Sequence, residues 1–300
     1  YTPDQRFWDM YSEDLDLPET YRDDAAHRPP HFQRMVEKYR ADADSKGLIE
    51  PKGLDNLSRR VWRAYLACIT QCDYALGELM DHLEQCGLVE NTIIVYLSDH
   101  GAYSTCFGVP EKAPGICSEQ VCRIPMIWHV PDVTPVGSVS PQFVHRVDLA
   151  PTLCSLAGLE MMDTVDGTDL SSLLRGRDEP VREVAVTEHS WSKSLRWKQW
   201  RFVHYQRDMF GDDVGELYDI KRDPNERNNL YNDTAHQAVV ADCRRLLLEW
   251  LIATSRAVTY QPPPQRTDIG PKYPMAGDGR TGNAFAPAEY IRAGRSKDYL

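Results

Sequence analysis

The chain has 300 residues, 45 of them acidic and 34 basic, and a net charge of −11. This length is enough for one large α/β domain or two smaller ones. The acidic balance argues against nucleic acid as the main partner. No stretch reaches the roughly 18 apolar residues of a membrane span, and the first residues are too polar for a signal peptide. We therefore expect a soluble protein. The sequence is compatible with both the cytoplasm and the periplasm.

The N-terminal third of the sequence predicts loops followed by one long helix. Residues 1–53 lack a sustained period and predict surface loops with a short helix from His31 to Tyr39. From about Leu54, apolar residues recur every three or four positions up to Leu83, which predicts a helix of about 30 residues. Gly87 then suits a left-handed helix cap.

Two apolar runs, at 92–97 and 124–130, predict strands, and a short helix is expected over 147–158. After about Gly176 the pattern changes to short alternating segments. The runs at 183–189, 200–205 and 215–220 predict a small antiparallel sheet, and 234–255 predicts an amphipathic helix. The last 40 residues are rich in proline and glycine and predict an irregular tail. We predict a domain boundary that separates 1–175 from 176–300.

Eight cysteines are scattered through the chain. Cys68 and Cys72 share a face of the predicted long helix, but this spacing without further Cys/His pairs is weak evidence for zinc. The favoured interpretation is that the cysteines are small buried apolar residues in a reducing compartment.

Polar residues follow the first predicted strand directly, in the segment "LSDHG". Ligands of open α/β sheets gather at the carboxyl ends of strands, and this is where Asp99 and His100 lie. A carboxylate and an imidazole are both metal donors, and Gly101 would allow a sharp turn that directs them to one point. The alternative is that Asp99 caps a turn and His100 is an incidental surface residue.

Lys112 follows Asp99 by 13 residues. A lysine ammonium can bind an anionic ester as a point charge. A solvated surface lysine is the alternative that the residue alone leaves open.

The segments "YLACITQCDYALGELMDHLEQCGLVENT", "IIVYLSDHG", "RIPMIW", "VDLAPTLCSLAG", "GTDLSSLLRG" and "ELYDIKRDPNERNNL" occur in this order. Together they resemble the C-terminal part of the sulfatases, a branch of the alkaline-phosphatase superfamily. The resemblance implies an α/β sandwich with a mostly parallel central sheet. It also implies a small C-terminal antiparallel sheet packed on a helix.

The resemblance further implies one divalent cation, usually Ca²⁺, held by four side chains, of which Asp99 and His100 would be two. A histidine at the second position shifts the preference slightly toward Mn²⁺ or Zn²⁺. Lys112 would bind the sulfate oxygens of a small-molecule or carbohydrate sulfate ester. Where relatives often carry a second Asp-His pair, this chain has Cys106 and Phe107.

The nucleophile of the sulfatases is a Cys or Ser in C/S-x-P/A-x-R, which is oxidised to formylglycine. No Cys or Ser of this sequence lies in that motif. The resemblance therefore implies that the nucleophile, the formylglycine and the remaining metal ligands belong to an N-terminal half outside these residues. We expect the chain alone to be inactive. Its expected partner is that N-terminal half, or further copies of the chain in a homo-oligomer.

Two other functions remain open. A phosphodiesterase or phosphonate monoester hydrolase of the same superfamily would share the metal motif. A catalytically incomplete binding module would explain the absent nucleophile. The segment "EHSWSKSLRW" offers candidate substrate contacts in His189, Lys193 and Arg196, or else a polar hairpin loop.

Overall fold

The computed structural model describes residues 1–45, 51–110, 117–160, 165–177, 179–189, 191–211 and 213–255. The helices are α1 (Gln5–Trp8), α2 (Pro30–Ser45), α3 (Pro51–Gln85), α4 (Glu119–Cys122), α5 (Leu149–Leu156), α6 (Ser171–Leu174), α7 (Arg207–Phe210) and α8 (Gln237–Thr254). The strands are β1 (Ile94–Leu97), β2 (Met126–His129), β3 (Val184–Glu188), β4 (Ser192–Trp197), β5 (Trp200–Tyr205) and β6 (Gly215–Asp219). The predicted irregular tail, from residue 261 onward, lies outside the described residues.

Helix α3 confirms the long helix that the apolar spacing predicts, with 35 residues. Gly87 follows it in the left-handed region, at φ 66°. The backbone N–H of Leu88 donates to the carbonyl of Leu83 at 2.9 Å, as a glycine cap allows. Helix α1 packs on α3 through the rings of Phe7 and Tyr74, whose centroids are 5.2 Å apart.

Strands β1 and β2 confirm the two apolar runs and form an antiparallel pair. Leu97, the last residue of β1, lies opposite Met126, the first residue of β2. The segment that follows β1 is therefore adjacent to α4, which immediately precedes β2. The described residues show antiparallel pairing at this place, and the mostly parallel central sheet stays a prediction.

Strands β3 to β6 form a second, antiparallel sheet in chain order. Three of its strands match the predicted runs, whereas β4 was not predicted as a strand. One face of this sheet packs on α8, which confirms a small antiparallel sheet packed on a helix. The core between them contains Val186, Leu195, Phe202, Leu217, Tyr231, Val240, Cys243, Leu246 and Leu247.

The opposite face of this sheet is buried but polar. Arg28, far away in sequence, forms ion pairs with Glu216 at 3.2 Å and with Glu226 at 3.3 Å. Arg201 of β5 lies 2.6 Å from the same Glu226 carboxylate. These side chains are at most 2% exposed. The ion pairs join the sheet to the preceding part of the chain, and the boundary at 175/176 stays a prediction.

Within the described ranges, no helix combines the length and the apolar character needed to cross a membrane.

Candidate metal site at the end of strand β1

Asp99 and His100 lie directly beyond the last residue of β1. Their side chains are 73% and 38% exposed. The Asp99 Oδ1 atom accepts a hydrogen bond from the backbone N–H of His100 at 2.8 Å and faces the Ser98 hydroxyl at 3.4 Å. These hydrogen bonds, the backbone one foremost, lower the pKa of the Asp99 carboxyl. Asp99 is therefore a carboxylate at neutral pH.

The orientation of the His100 ring follows from its Nδ1 atom. This atom lies 2.8 Å from the carbonyl oxygen of Gly101, which can only accept, so Nδ1 carries the proton. In the neutral ring Nε2 then presents a lone pair, and it lies 3.3 Å from Asp99 Oδ2. A ring nitrogen and a carboxylate oxygen at this distance can face one shared cation.

These two donor atoms fit a divalent cation. Ligand oxygens surround Ca²⁺ at about 2.3–2.6 Å, so neighbouring ligands at right angles are about 3.3–3.7 Å apart. The separation of Asp99 Oδ2 and His100 Nε2 agrees with this spacing. Among the described residues, no group of three or more His, Cys, Asp or Glu side chains forms a metal site. The pair can therefore supply part of a coordination sphere.

Gly101 has a different role from the sharp turn that the sequence suggested, because it does not adopt a left-handed conformation. Its backbone N–H donates to the carbonyl of Val121 in α4 at 2.8 Å. A Cβ atom at this position would lie 2.0 Å from the carbonyl oxygen of Gln120. Glycine is needed here because the backbone of α4 approaches so closely.

Arg146 lies next to the site, and its role was not predicted from the sequence. Its Nη1 atom donates to the carbonyl oxygen of Asp99 at 2.5 Å. The only available signal was its position, directly before "VDLAPT". The contact fixes the backbone from which the Asp99 carboxylate projects.

Helix α4 connects this site to the second sheet. Glu119 forms ion pairs with Arg196 of β4 at 3.0 Å and with Arg201 of β5 at 3.4 Å. Its backbone N–H donates to the Glu226 carboxylate at 3.1 Å. Arg196, a candidate substrate contact, is thus held in an ion pair, and its side chain is 23% exposed.

The other two candidate substrate contacts lie where β3 turns into β4. The Lys193 ammonium donates to the carbonyl of His189 at 3.0 Å and lies 3.4 Å from Glu188. Burial, and to a smaller extent Lys193, lowers the pKa of His189. The His189 ring packs edge-on against Trp191, with centroids 4.8 Å apart. Substrate binding by these residues stays a prediction, and Lys112 lies outside the described residues.

Cys106 and Phe107, which replace an Asp-His pair common among relatives, belong to a packed core. Phe107 is completely buried. Its ring lies 5.9 Å from that of Phe32 and 6.4 Å from that of Tyr103. Burial raises the pKa of the Cys106 thiol, which therefore stays protonated at neutral pH.

Two family models match the chain in overlapping regions. The model "Sulfatase" matches residues 24–159, which include the strand-end pair. The model "N-sulphoglucosamine sulphohydrolase, C-terminal" matches residues 115–252, which include the second sheet and α8.

Individual proteins that are similar to this chain point to the same family. An N-acetylglucosamine-6-O-sulfatase of Bacteroides thetaiotaomicron is 30% identical over 73% of this chain and 40% of its own length. A solved structure in complex with its substrate D-glucosamine-2-N,6-O-disulfate is 22% identical, with a TM-score of 0.70 over 84% of this chain and 62% of that chain. A phosphonate monoester hydrolase of Silicibacter pomeroyi is 23% identical, with a TM-score of 0.67 over 82% of this chain and 52% of that chain.

The chain spans 40% of the length of the sulfatase that it matches at 30% identity. The two family models together extend from the loop before α2 to the end of α8. The ordered motifs, the matched models and the shared fold lead to one conclusion: this chain belongs to the sulfatase family.

Proposed function

We propose that this chain supplies part of the active site of a sulfuric ester hydrolase, with Asp99 and His100 as ligands of a divalent cation. The observation that carries the proposal is the convergence of Asp99 Oδ2 and His100 Nε2, at 3.3 Å. The lowered pKa of Asp99 keeps the carboxylate charged at neutral pH. The Gly101 carbonyl holds the proton on Nδ1 of His100, so that the lone pair of the neutral ring is on Nε2.

A bound cation in such a site neutralises sulfate oxygens and favours ionisation of a hydroxyl nucleophile. Ca²⁺ is the ion that the family resemblance favours, whereas an imidazole ligand also suits Mn²⁺ or Zn²⁺. Lys112 is proposed to bind the sulfate oxygens as a point charge. Arg146 adds a further positive charge beside the same strand end, through its contact with the Asp99 carbonyl.

The proposed substrate is a sulfated carbohydrate. The relative at 30% identity is named an N-acetylglucosamine-6-O-sulfatase, and the second family model takes its name from N-sulphoglucosamine. His189, Lys193 and Arg196 are the proposed sugar contacts. The half-buried His189 ring lies next to the Lys193 ammonium, and a ring and a cation together suit a sulfated sugar, whereas Trp191 is 4% exposed and supports the His189 ring from the interior.

The nucleophile is proposed to come from residues outside this sequence, because none of the 300 residues lies in a C/S-x-P/A-x-R motif. Residues 1–300 alone would then bind the metal without turning over a sulfate ester. A phosphonate monoester hydrolase shares the fold, and an Asp-His pair suits both kinds of ester. Assays of p-nitrophenyl sulfate and a phosphonate monoester, with a protein that also contains the nucleophile motif, separate the two activities.

The metal assignment is tested by calorimetric titration of the purified protein with Mn²⁺ and with Ca²⁺. We expect Asp99→Ala and His100→Ala each to weaken binding of at least one ion by about 10-fold or more, as loss of a ligand does. The matched control is Glu90→Ala, which removes an exposed carboxylate before the opposite end of β1.

Unchanged affinity in both strand-end variants would refute the metal assignment. An equal loss in Glu90→Ala would also refute it, because it would show that the ion responds to overall negative charge. Circular dichroism of each variant establishes that a lost affinity does not come from a lost fold.

A further inference from the structure

Two cysteines at the ends of the α4 turn lie in contact with each other. Cys117 is 4% exposed and packs with Val203 and Tyr205, and Cys122 packs against the same cluster. Each of the two thiols shifts the pKa of the other, as close neighbours do. The Sγ atom of Cys117 also lies 3.6 Å from the hydroxyl of Ser192. Both cysteines are free.

A buried guanidinium stands next to this pair. The Nη2 atom of Arg201 lies 3.9 Å from the Sγ atom of Cys122, and the Arg201 side chain is 1% exposed. The neighbouring Cys117 thiol and the charge of Arg201 lower the pKa of Cys122, against the effect of burial. The neighbouring Cys122 thiol and burial raise the pKa of Cys117. The pair therefore combines one thiolate-prone sulfur with one protonated sulfur.

Other described cysteines lack this combination. Burial raises the pKa of Cys243 to about 12, and it also raises the pKa of Cys106. Cys72 and Cys86 are exposed on or just beyond α3. Reactivity toward disulfides requires thiolate character together with a second thiol in reach. Cys122 is half-buried, and it packs against the cluster that contains Cys117.

We propose that Cys117 and Cys122 form a redox-active dithiol, which low-molecular-weight disulfides convert into an intramolecular disulfide. Cys122 is the attacking sulfur, and Cys117 is the resolving one. The inference rests on the geometry around α4 and does not depend on the proposed hydrolase activity.

The reaction balances in two exchange steps. The Cys122 thiolate attacks a disulfide RS–SR, forms an S–S bond to one sulfur and releases the other as RS⁻. Cys117 then gives its proton to the released thiolate and attacks the Cys122 sulfur, which expels the second RS⁻. The second RS⁻ takes up from solvent the proton that Cys122 released when it ionised. The protein dithiol thus loses two electrons and two protons, and the small disulfide is reduced to two RSH.

Oxidation would change the contacts of α4. It removes the negative charge that Cys122 can place beside Arg201, and it removes the Cys117 S–H group that faces the Ser192 hydroxyl. Helix α4 also carries the Val121 carbonyl that accepts the N–H of Gly101. The dithiol is thus located in the same short element that contacts the strand-end segment.

The test uses reduced protein incubated with glutathione disulfide, quenched with N-ethylmaleimide and digested with trypsin. Cleavage after Lys112 and Arg123 places both cysteines in the single peptide 113–123. We expect this peptide to lose the mass of two hydrogen atoms and both alkylation sites. We also expect its cysteines to react at least about 10-fold faster than Cys72, which is more exposed.

Variants separate the two roles. Cys117→Ser should trap a glutathione adduct on Cys122, because the resolving thiol is gone. Cys122→Ser should leave Cys117 unreacted on the same timescale, and Cys72→Ser should behave like the original protein.

The proposal is overturned if peptide 113–123 keeps both alkylated cysteines while Cys72 is oxidised. It is also overturned if Cys117→Ser accumulates no adduct. The comparison of Cys122 with Cys72 within the unmodified protein does not depend on whether a variant folds.

Discussion

At the scale of single residues, Gly101 connects the candidate metal ligands to the rest of the fold. It follows His100 directly, its carbonyl orients the His100 ring, and its N–H donates to α4. The distance of 2.0 Å from an added Cβ to the Gln120 carbonyl oxygen leaves no space for a side chain. Glycine is thus required at position 101 because the backbone of α4, which is distant in sequence, approaches it closely.

We expect Gly101→Ala to destabilise the protein by about 1–3 kcal/mol, because α4 or the strand-end segment must move to admit the methyl group. Gly77→Ala is the matched control, since a Cβ at this position in α3 meets nothing within 4 Å. The control should be stabilising by about 0.5–1 kcal/mol, because alanine is the better helix former. Urea denaturation measures both changes, and an equal effect of the two substitutions would contradict the close approach of α4.

At the scale of elements, Asp148 fixes the position of α5. The Arg182 guanidinium donates two hydrogen bonds of 2.6 Å to its carboxylate. The backbone N–H groups of Thr168 and His145 donate to it at 2.8 and 2.6 Å. Burial raises the pKa of Asp148, but these hydrogen bonds outweigh burial, so that the net pKa is lowered. Four donors on one completely buried carboxylate hold the start of α5 against the segment that leads to β3.

A lowered pKa gives this interaction a defined pH dependence. The stabilisation is complete above the pKa of about 4 that an unfolded aspartate has, and it is lost as the pH falls through the lowered folded value. We expect Asp148→Asn to cost about 3–5 kcal/mol at neutral pH, since it leaves Arg182 buried without a counter-charge. The cost should shrink as the pH falls from about 4, where the unfolded chain becomes protonated, toward the lowered folded pKa, where the folded protein loses the same charge.

Urea denaturation at neutral and at acidic pH measures this difference. Asp14→Asn, at an exposed carboxylate, is the control and should change stability little at either pH. A cost of Asp148→Asn that does not depend on pH would show that the charge of Asp148 contributes nothing.

Most elements could be predicted from periodicity, because α3, α8, β5 and β6 show clear apolar patterns in the sequence. Strand β4 could not, because Ser192, Ser194 and Arg196 face the buried polar side of the sheet rather than an apolar core. Their register opposite Tyr205, Val203 and Arg201 places them there. On the other side of β4 only Leu195 and Trp197 face the core against α8, and two apolar residues are too short an alternation to predict a strand.

At the scale of the whole molecule, the polar face of the second sheet joins parts of the chain that are distant in sequence. Glu226 accepts hydrogen bonds from Arg28 and from the backbone of Glu119, and it pairs with Arg201. Local patterns contain no information about such a network, since each of these charges is typical of a surface residue when considered alone. The strand-end pair, by contrast, was visible because polar residues interrupt an apolar run.

The central claim is that Asp99 and His100 bind one divalent cation. Crystals of the protein soaked in Mn²⁺ and measured near the manganese absorption edge test it most directly. We predict an anomalous peak within bonding distance, about 2.0–2.6 Å, of both Asp99 Oδ2 and His100 Nε2. An ordered Asp99-His100 pair without a peak, in a protein that binds Mn²⁺ elsewhere, would contradict it.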